Sequence, residues 1–170
     1  TSAFSTSLRI RAVDATTVQE YGNTGTDWRV HFAIDLQSLH CDHFELTDVR
    51  GGETFRRIPV QKGDVLLGDR VYSTPPGIAS VVGRQGHVIV RANPNSLPLQ
   101  DGSGRRLAVR QRLRSLRVGE IGDWVAMVEG PDGTIGGRLV AIKLGRIAAR
   151  LARRRQRHHA AKKQRAVSKR

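Results

Sequence analysis

The sequence predicts an α/β fold built on a mixed sheet, and three observations carry that expectation. Residues 8–49 hold three segments of mostly alternating apolar and polar residues joined by short polar turns. Two short continuous apolar runs follow, VLLGD at 65–69 and HVIVRAN at 87–93, with a proline-opened helical segment between them. A stretch rich in Asn, Pro, Ser and Gly at 93–104 then separates this part from chain of different texture. Alternation marks antiparallel strands with one covered face, whereas continuous apolar runs mark strands reached by crossovers. The expected sheet therefore has three antiparallel strands followed by two crossover strands, with helices packed on its faces.

The first strand is LRIRAVD, residues 8–14, which ends on Asp14. In WRVHFAIDL, residues 28–36, Trp28, Val30, Phe32, Ile34 and Leu36 share one face while Arg29, His31, Ala33 and Asp35 share the other. The turn signal YGNTGTD lies between the two. HFELTDV, residues 43–49, is the third strand, closed by Gly51 and Gly52. ETFRRI, residues 53–58, reads as a helical turn stopped by Pro59. Ser73 and Thr74 stand where they can cap a helix that Pro75 and Pro76 open and Gly83 or Gly86 ends.

Composition divides the chain at residues 95 and 145. Residues 1–95 carry ten Lys and Arg against ten Asp and Glu, residues 96–145 carry eight against five, and residues 146–170 carry eleven against none. Most of the net charge of +14 thus lies at one end, which fits a polyanionic partner, nucleic acid first. In 96–145, LAVRQRLRSLRV is expected to be a strand presenting Arg110, Arg112 and Arg114 on one side, and WVAMVEG with GRLVAIKL a hairpin. From Arg146 the chain reads as a helix with a brief stripe of Ile147, Ala148, Leu151 and Ala152. No apolar run approaches the roughly 20 residues of a membrane helix, so no membrane partner is expected and the default compartment is the cytoplasm. Cys41 is the single cysteine, which excludes an internal disulfide and a multi-cysteine zinc site. His40, Cys41, Asp42 and His43 are too close in sequence to aim at one ion. Trp28 and Trp124 are expected to pack in cores.

Asp14 and Asp69 pose the functional question. Each ends a strand, and if the first strand lies beside the fourth, the two carboxylates emerge together. Close carboxylates repel unless a cation sits between them, and hard ions such as Mg²⁺ or Mn²⁺ take oxygen ligands of this kind. The alternative is that each Asp caps its own strand end or pairs with a cation such as Arg70.

The strand order, AVDATTVQ around Asp14 and LLGDRVY around Asp69 together resemble the catalytic domain of DDE transposases. More narrowly, they are similar to bacterial insertion-sequence transposases with a Tyr-Arg-Glu-Lys signature. TGTDWRVHFAIDL and GGETFRR share that family's texture. The resemblance implies a ribonuclease H-like fold over 1–95, an Arg-rich β insertion over 96–145, and a basic helix over 146–170 that leads toward a further part. Two departures stand out. Val71 occupies a position where the family often has Gly, and no Tyr-x-x-Arg-x-x-x-Glu pattern follows residue 95. Truncation before the helix bearing the third acid is the expectation, in which case the chain is inactive alone.

The resemblance further implies DNA strand cleavage and transfer by two-metal phosphoryl transfer, with two Mg²⁺ or Mn²⁺ ions in the complete protein. Asp14 would bridge both ions and Asp69 would hold one. Arg70 and Tyr72 would lie at the DNA backbone, and Arg110, Arg112 and Arg114 would contact phosphates. The implied partners are transposon ends and target DNA, with a homodimer in the complete protein in a bacterial cytoplasm. The rival readings are a non-catalytic basic nucleic-acid binder, suggested by the sequence pI near 11.4, and another ribonuclease H-like nuclease.

Overall fold

The computed structural model describes residues 8–22, 24–25 and 27–167; the first seven residues, Asn23 and Thr26 of the first turn, and the last three residues lie outside the described residues. Packing divides the chain into two units, residues 1–106 with 127–137 and residues 107–126 with 138–170. The compositional boundaries at 95 and 145 fall inside these units rather than between them, because a β-hairpin contributes residues to both.

The first unit is organised by a five-stranded mixed sheet. Its strands are β1 (Ile10–Val18), β2 (Trp28–Asp35), β3 (Cys41–Asp48), β4 (Val65–Gly68) and β5 (His87–Val90), in the spatial order β3-β2-β1-β4-β5. β1 pairs antiparallel with β2 and β2 with β3, whereas β4 runs parallel to both β1 and β5. This is the expected plan of three antiparallel strands and two crossovers. β1 extends four residues past Asp14, because Thr16, Thr17 and Val18 are β-branched and continue the ladder opposite Val30, Arg29 and Trp28.

The crossover from β3 to β4 holds a 3-10 turn, Phe55–Arg57, whose first N–H groups are served by the Thr54 hydroxyl through Arg56 N. The crossover from β4 to β5 holds α1, Pro75–Val82. Thr74 occupies the N-cap position of α1 without a side-chain bond; the Ser73 hydroxyl instead accepts from Asn93 N at 3.2 Å, tying the helix entry to the end of β5.

One face of the sheet is covered by the 3-10 turn and α1. Val13, Ala33, Leu66, Phe55, Ile58, Tyr72 and Val81 form the core there, with Val60, Val88 and Val90 around them. On β2 the covered side is therefore that of His31 and Ala33, not the apolar series beginning at Trp28. Trp28 is 49% exposed, and Phe44 and Leu46, which lie opposite Phe32 and Val30 on β3, are 66% and 55% exposed. The expectation that Trp28 packs in a core is corrected by the side of β2 on which α1 and the 3-10 turn lie; Trp124 is half-buried.

At the end of the sheet where β1 begins, a buried ion network closes the core. Arg11, 2% exposed, donates through Nη2 to Asp42 at 2.7 Å and through Nη1 to the Pro59 carbonyl at 2.5 Å, and its Nη1 lies 3.4 Å from Asp64. Arg9 reaches Asp42 at 2.7 Å. Asp42 is thus committed to arginines, and Cys41 donates to the His43 carbonyl.

A second sheet has the order β6-β7-β8, with β6 at Leu99–Gln100, β7 at Ile121–Gly130 and β8 at Gly133–Ile142. The hairpin turn is tighter than the six residues expected, since only Pro131 and Asp132 separate the strands and Gly133 takes φ 123°. Within the first unit Leu97, Leu99, Val128 and Ile135 pack with Ile78 of α1.

The second unit departs from expectation at residues 109–115. Val109–Ser115 is a helix, α2, not a strand. Arg, Gln and Leu are good helix formers, and Val109 and Leu113, four apart, supply its half-buried side. Alternating arginines therefore do not share a face. At about 100° per residue Arg110 and Arg114 lie on one side and Arg112 on the opposite one. Lys143 Nζ caps the far end of α2 by donating to the Arg114 and Leu116 carbonyls at 2.8 and 2.5 Å. The basic helix α3, Arg146–Val167, begins where the sequence places it.

Candidate functional site

The parallel pairing of β1 with β4 sets the geometry. Ile10 faces Val65, Arg11 faces Leu66, and Ala12 faces Leu67. Continued two residues past the last paired positions, that register leads to Asp14 on β1 and to Asp69, the residue that follows the end of β4. They are fifty-five residues apart in sequence.

Both side chains are exposed. Asp14 Oδ1 accepts from Ala15 N at 2.8 Å, and Asp69 Oδ1 accepts from Val71 N at 2.7 Å, which fixes the turn after β4. Among the described residues neither carboxylate forms an ion pair, and Arg70 does not pair with Asp69. A carboxylate open to water carries no burial penalty that a cation must relieve, so what favours a cation is the pairing of the two acids alone.

Tyr72, three residues past Asp69, is buried in the core of the first unit. Its ring is 1% exposed and rests against Phe55, with centroids 5.0 Å apart and planes tilted by 40°. With its face in the core, it cannot stack on a base. Burial, and then the negative charges of Glu53, Asp14 and Asp69, push the phenol well above its ordinary range. The hydroxyl is buried and has no hydrogen-bond partner among the described residues.

Glu53 also acts on Tyr72 by its charge. It sits just before the 3-10 turn, two residues ahead of Phe55, and its Oε1 lies 3.9 Å from Arg29 Nε. Arg29 also donates from Nη1 to the Gly51 carbonyl at 2.8 Å, while its Nε is buried without a hydrogen bond. Gly-Gly-Glu at 51–53 carries only a turn signal, and nothing local links it to Tyr72 nineteen positions on.

The donor set suits a hard cation in kind, since it is all oxygen and negatively charged. Among the described residues, however, no three His, Cys, Asp or Glu side chains are gathered closely enough to hold one metal ion. Arg70 is exposed on the turn after Asp69, while Arg110, Arg112 and Arg114 belong to the second unit. The structure so far defines a mixed α/β protein. No family model matches the chain, and neither a curated protein nor a solved structure matches it. No described helix is long and apolar enough to cross a membrane.

Proposed function

We propose that this chain is part of a ribonuclease H-like DNA transposase catalytic domain that cuts and rejoins DNA strands by metal-dependent phosphoryl transfer. The observation that carries this reading is the parallel pairing of β1 with β4, which, continued two residues beyond Ala12 and Leu67, would set Asp14 level with Asp69. The sheet order β3-β2-β1-β4-β5 supports it, as does the surplus of Lys and Arg toward the end of the chain.

In this reading Asp14 and Asp69 hold the divalent ions, Mg²⁺ or Mn²⁺. When bound, such ions activate an attacking oxygen and stabilise the leaving one. Asp14, on the continuous strand β1, is the more rigid ligand. Asp69 is held by its bond to Val71 N. Arg70 offers planar donors to a DNA phosphate, and the arginines of α2 add contacts that carry no sequence information. The Tyr-x-x-Arg-x-x-x-Glu pattern that would supply the third acid has no match in this sequence, and two acids alone give binding rather than turnover.

Iron-directed cleavage tests the reading. Fe²⁺ with ascorbate and peroxide should cut the chain near residues 14 and 69, excess Mg²⁺ should protect it, and Asp14→Asn or Asp69→Asn should abolish the cuts. Cuts elsewhere, or none, sink the proposal. The 22-residue helix α3 favours a second reading, a non-catalytic nucleic-acid binder. That reading expects DNA affinity to be indifferent to Mg²⁺ and to collapse when residues 146–170 are removed.

A further inference from the structure

We infer that this chain forms a two-fold dimer in which β3 pairs antiparallel with β3 of a second copy, Phe44 standing opposite Leu46 of that copy, so that two five-stranded sheets join edge to edge. The pairing is independent of what Asp14 and Asp69 hold. β3 is one edge of the sheet and β5 the other. β5 has only four residues, whereas β3 has eight, Cys41–Asp48, with neither Lys nor Pro among them. Short strands, lysines and prolines are the usual guards of an open edge, and β3 has none of these.

The hydrogen-bond phase of β2 fixes which groups β3 leaves open. Leu36 N donates to the Ile10 carbonyl at 2.8 Å, and Asp35 N to the His40 carbonyl at 2.9 Å. Successive residues of a central antiparallel strand bond to alternate sides, so even-numbered residues of β2 bond to β1 and odd-numbered ones to β3. Val30 and Phe32, which face Leu46 and Phe44, are therefore committed to β1. The N–H and C=O groups of Phe44 and Leu46 turn away from β2, toward an edge on which no strand of the described residues lies. The register irregularity between Ala33 and Ile34 lies beyond His43 and leaves residues 43–48 in step with β2.

A second β3 satisfies these groups at one register. With Phe44 opposite Leu46 of the second copy, and Leu46 opposite its Phe44, each pair exchanges N–H···O bonds in both directions. Phe44 is 66% exposed and Leu46 55% exposed on the same face, so the register also matches aromatic to aliphatic side chains and extends the apolar row of Trp28, Val30 and Phe32 on β2. A shift of two residues in one direction sets Phe44 opposite Asp48, and in the other sets Leu46 opposite Asp42. The two-fold axis passes at Glu45, whose Oε1 lies 2.6 Å from Arg57 Nη1, so ion pairs rather than bare carboxylates meet there.

Sedimentation of the full 170-residue chain over a range of concentrations should show a reversible monomer–dimer equilibrium. Leu46→Pro removes an N–H that the β2 ladder does not use, a place where an edge strand tolerates proline. By symmetry it deletes two intermolecular hydrogen bonds, and the dissociation constant should rise about thirtyfold. Trp28→Lys alters the same apolar face one strand inward and should leave the equilibrium unchanged. In a Cys41→Ser background, Glu45→Cys should oxidise to a covalent dimer with copper phenanthroline, since Cα atoms of a non-hydrogen-bonded pair lie about 4.5 Å apart, within disulfide range. Thr47→Cys, which would face His43 of the second copy, should not. A chain that sediments as a monomer throughout overturns the inference. So does a dimer that Trp28→Lys abolishes and Leu46→Pro does not, which would place the contact on the sheet face, and so does cross-linking through Thr47→Cys in place of Glu45→Cys. Circular dichroism establishes that each variant is folded; should Leu46→Pro fail to fold, the two cysteine variants decide.

Discussion

Gly68 lies directly under the ring of Phe55: a Cβ added there would stand 2.6 Å from Phe55 Cζ and 3.0 Å from Tyr72 Cβ. The last residue of β4 therefore has no side chain because the aromatic pair behind the acidic tip occupies the space. Gly68→Ala should destabilise the protein by about 1–3 kcal/mol, the usual penalty of overpacking. Because the ring must move, the tyrosine fluorescence or near-ultraviolet dichroism of Tyr72 should change as well. Urea unfolding measures the first effect, and an unchanged midpoint would show that the ring shifts freely.

The buried arginine network supplies a second expectation. Arg11 neutralises Asp42 and Asp64 at once, and Asp64 is only 2% exposed. Replacing it by methionine keeps much of the volume but leaves two acids facing one another with Arg9 as their remaining cation. Removing one partner of a buried pair typically destabilises by about 3–5 kcal/mol. Arg11→Met should reach that range in chemical denaturation, and Arg11→Met with Asp64→Asn should recover part of it.

The sheet plan was legible because its signals are local. Alternation in 28–36, the prolines that open α1 and the apolar runs at β4 and β5 each follow from a few adjacent residues. The placing of β1 against β4, on which the expectation of paired acids rests, followed from the same signals. Three things were not. Arginine at every second position in 109–115 satisfies a strand pattern, and only the helix preference of Arg, Gln and Leu, with Val109 and Leu113 four apart, decides otherwise. Which face of β2 is covered depends on the side taken by the crossovers, and the apolar series at Trp28 pointed the wrong way. The charge of Glu53 acts on Tyr72 only through tertiary packing, which no spacing in the sequence encodes.

The two faces of the sheet should respond unequally to truncation. Leu66 is fully buried against the 3-10 turn and α1, whereas Phe44 is 66% exposed on the other side. Leu66→Ala removes packed atoms and leaves a cavity, at about 2–5 kcal/mol. Phe44→Ala gives up surface that water already reaches, and should change stability by less than about 1 kcal/mol. Thermal unfolding of the pair tests this directly. A large loss in Phe44→Ala would mean that its face is covered in solution.

His31 should make the first unit acid-sensitive. It is 1% exposed on the covered side of β2, and its Nε2 lies 3.0 Å from Thr47 Oγ1. Thr47 donates its own proton to the Asp48 carbonyl, so Nε2 of His31 must be the donor to Thr47. Burial, followed by the charge of Arg57, holds the imidazole below its ordinary 6.5; Arg29 and His43 act in the same direction, and Glu45 opposes them. Folded protein thus keeps His31 neutral at pH values where the unfolded chain has begun to protonate it. Between the ordinary and the lowered value the unfolded state binds more protons, so stability is full above about pH 6.5 and declines as pH falls below it. One such group contributes a slope of at most about 1.4 kcal/mol per pH unit. Denaturation midpoints followed from neutral to mildly acidic pH should show the decline, and His31→Gln should flatten it. An identical slope in the variant would assign the acid sensitivity to another group.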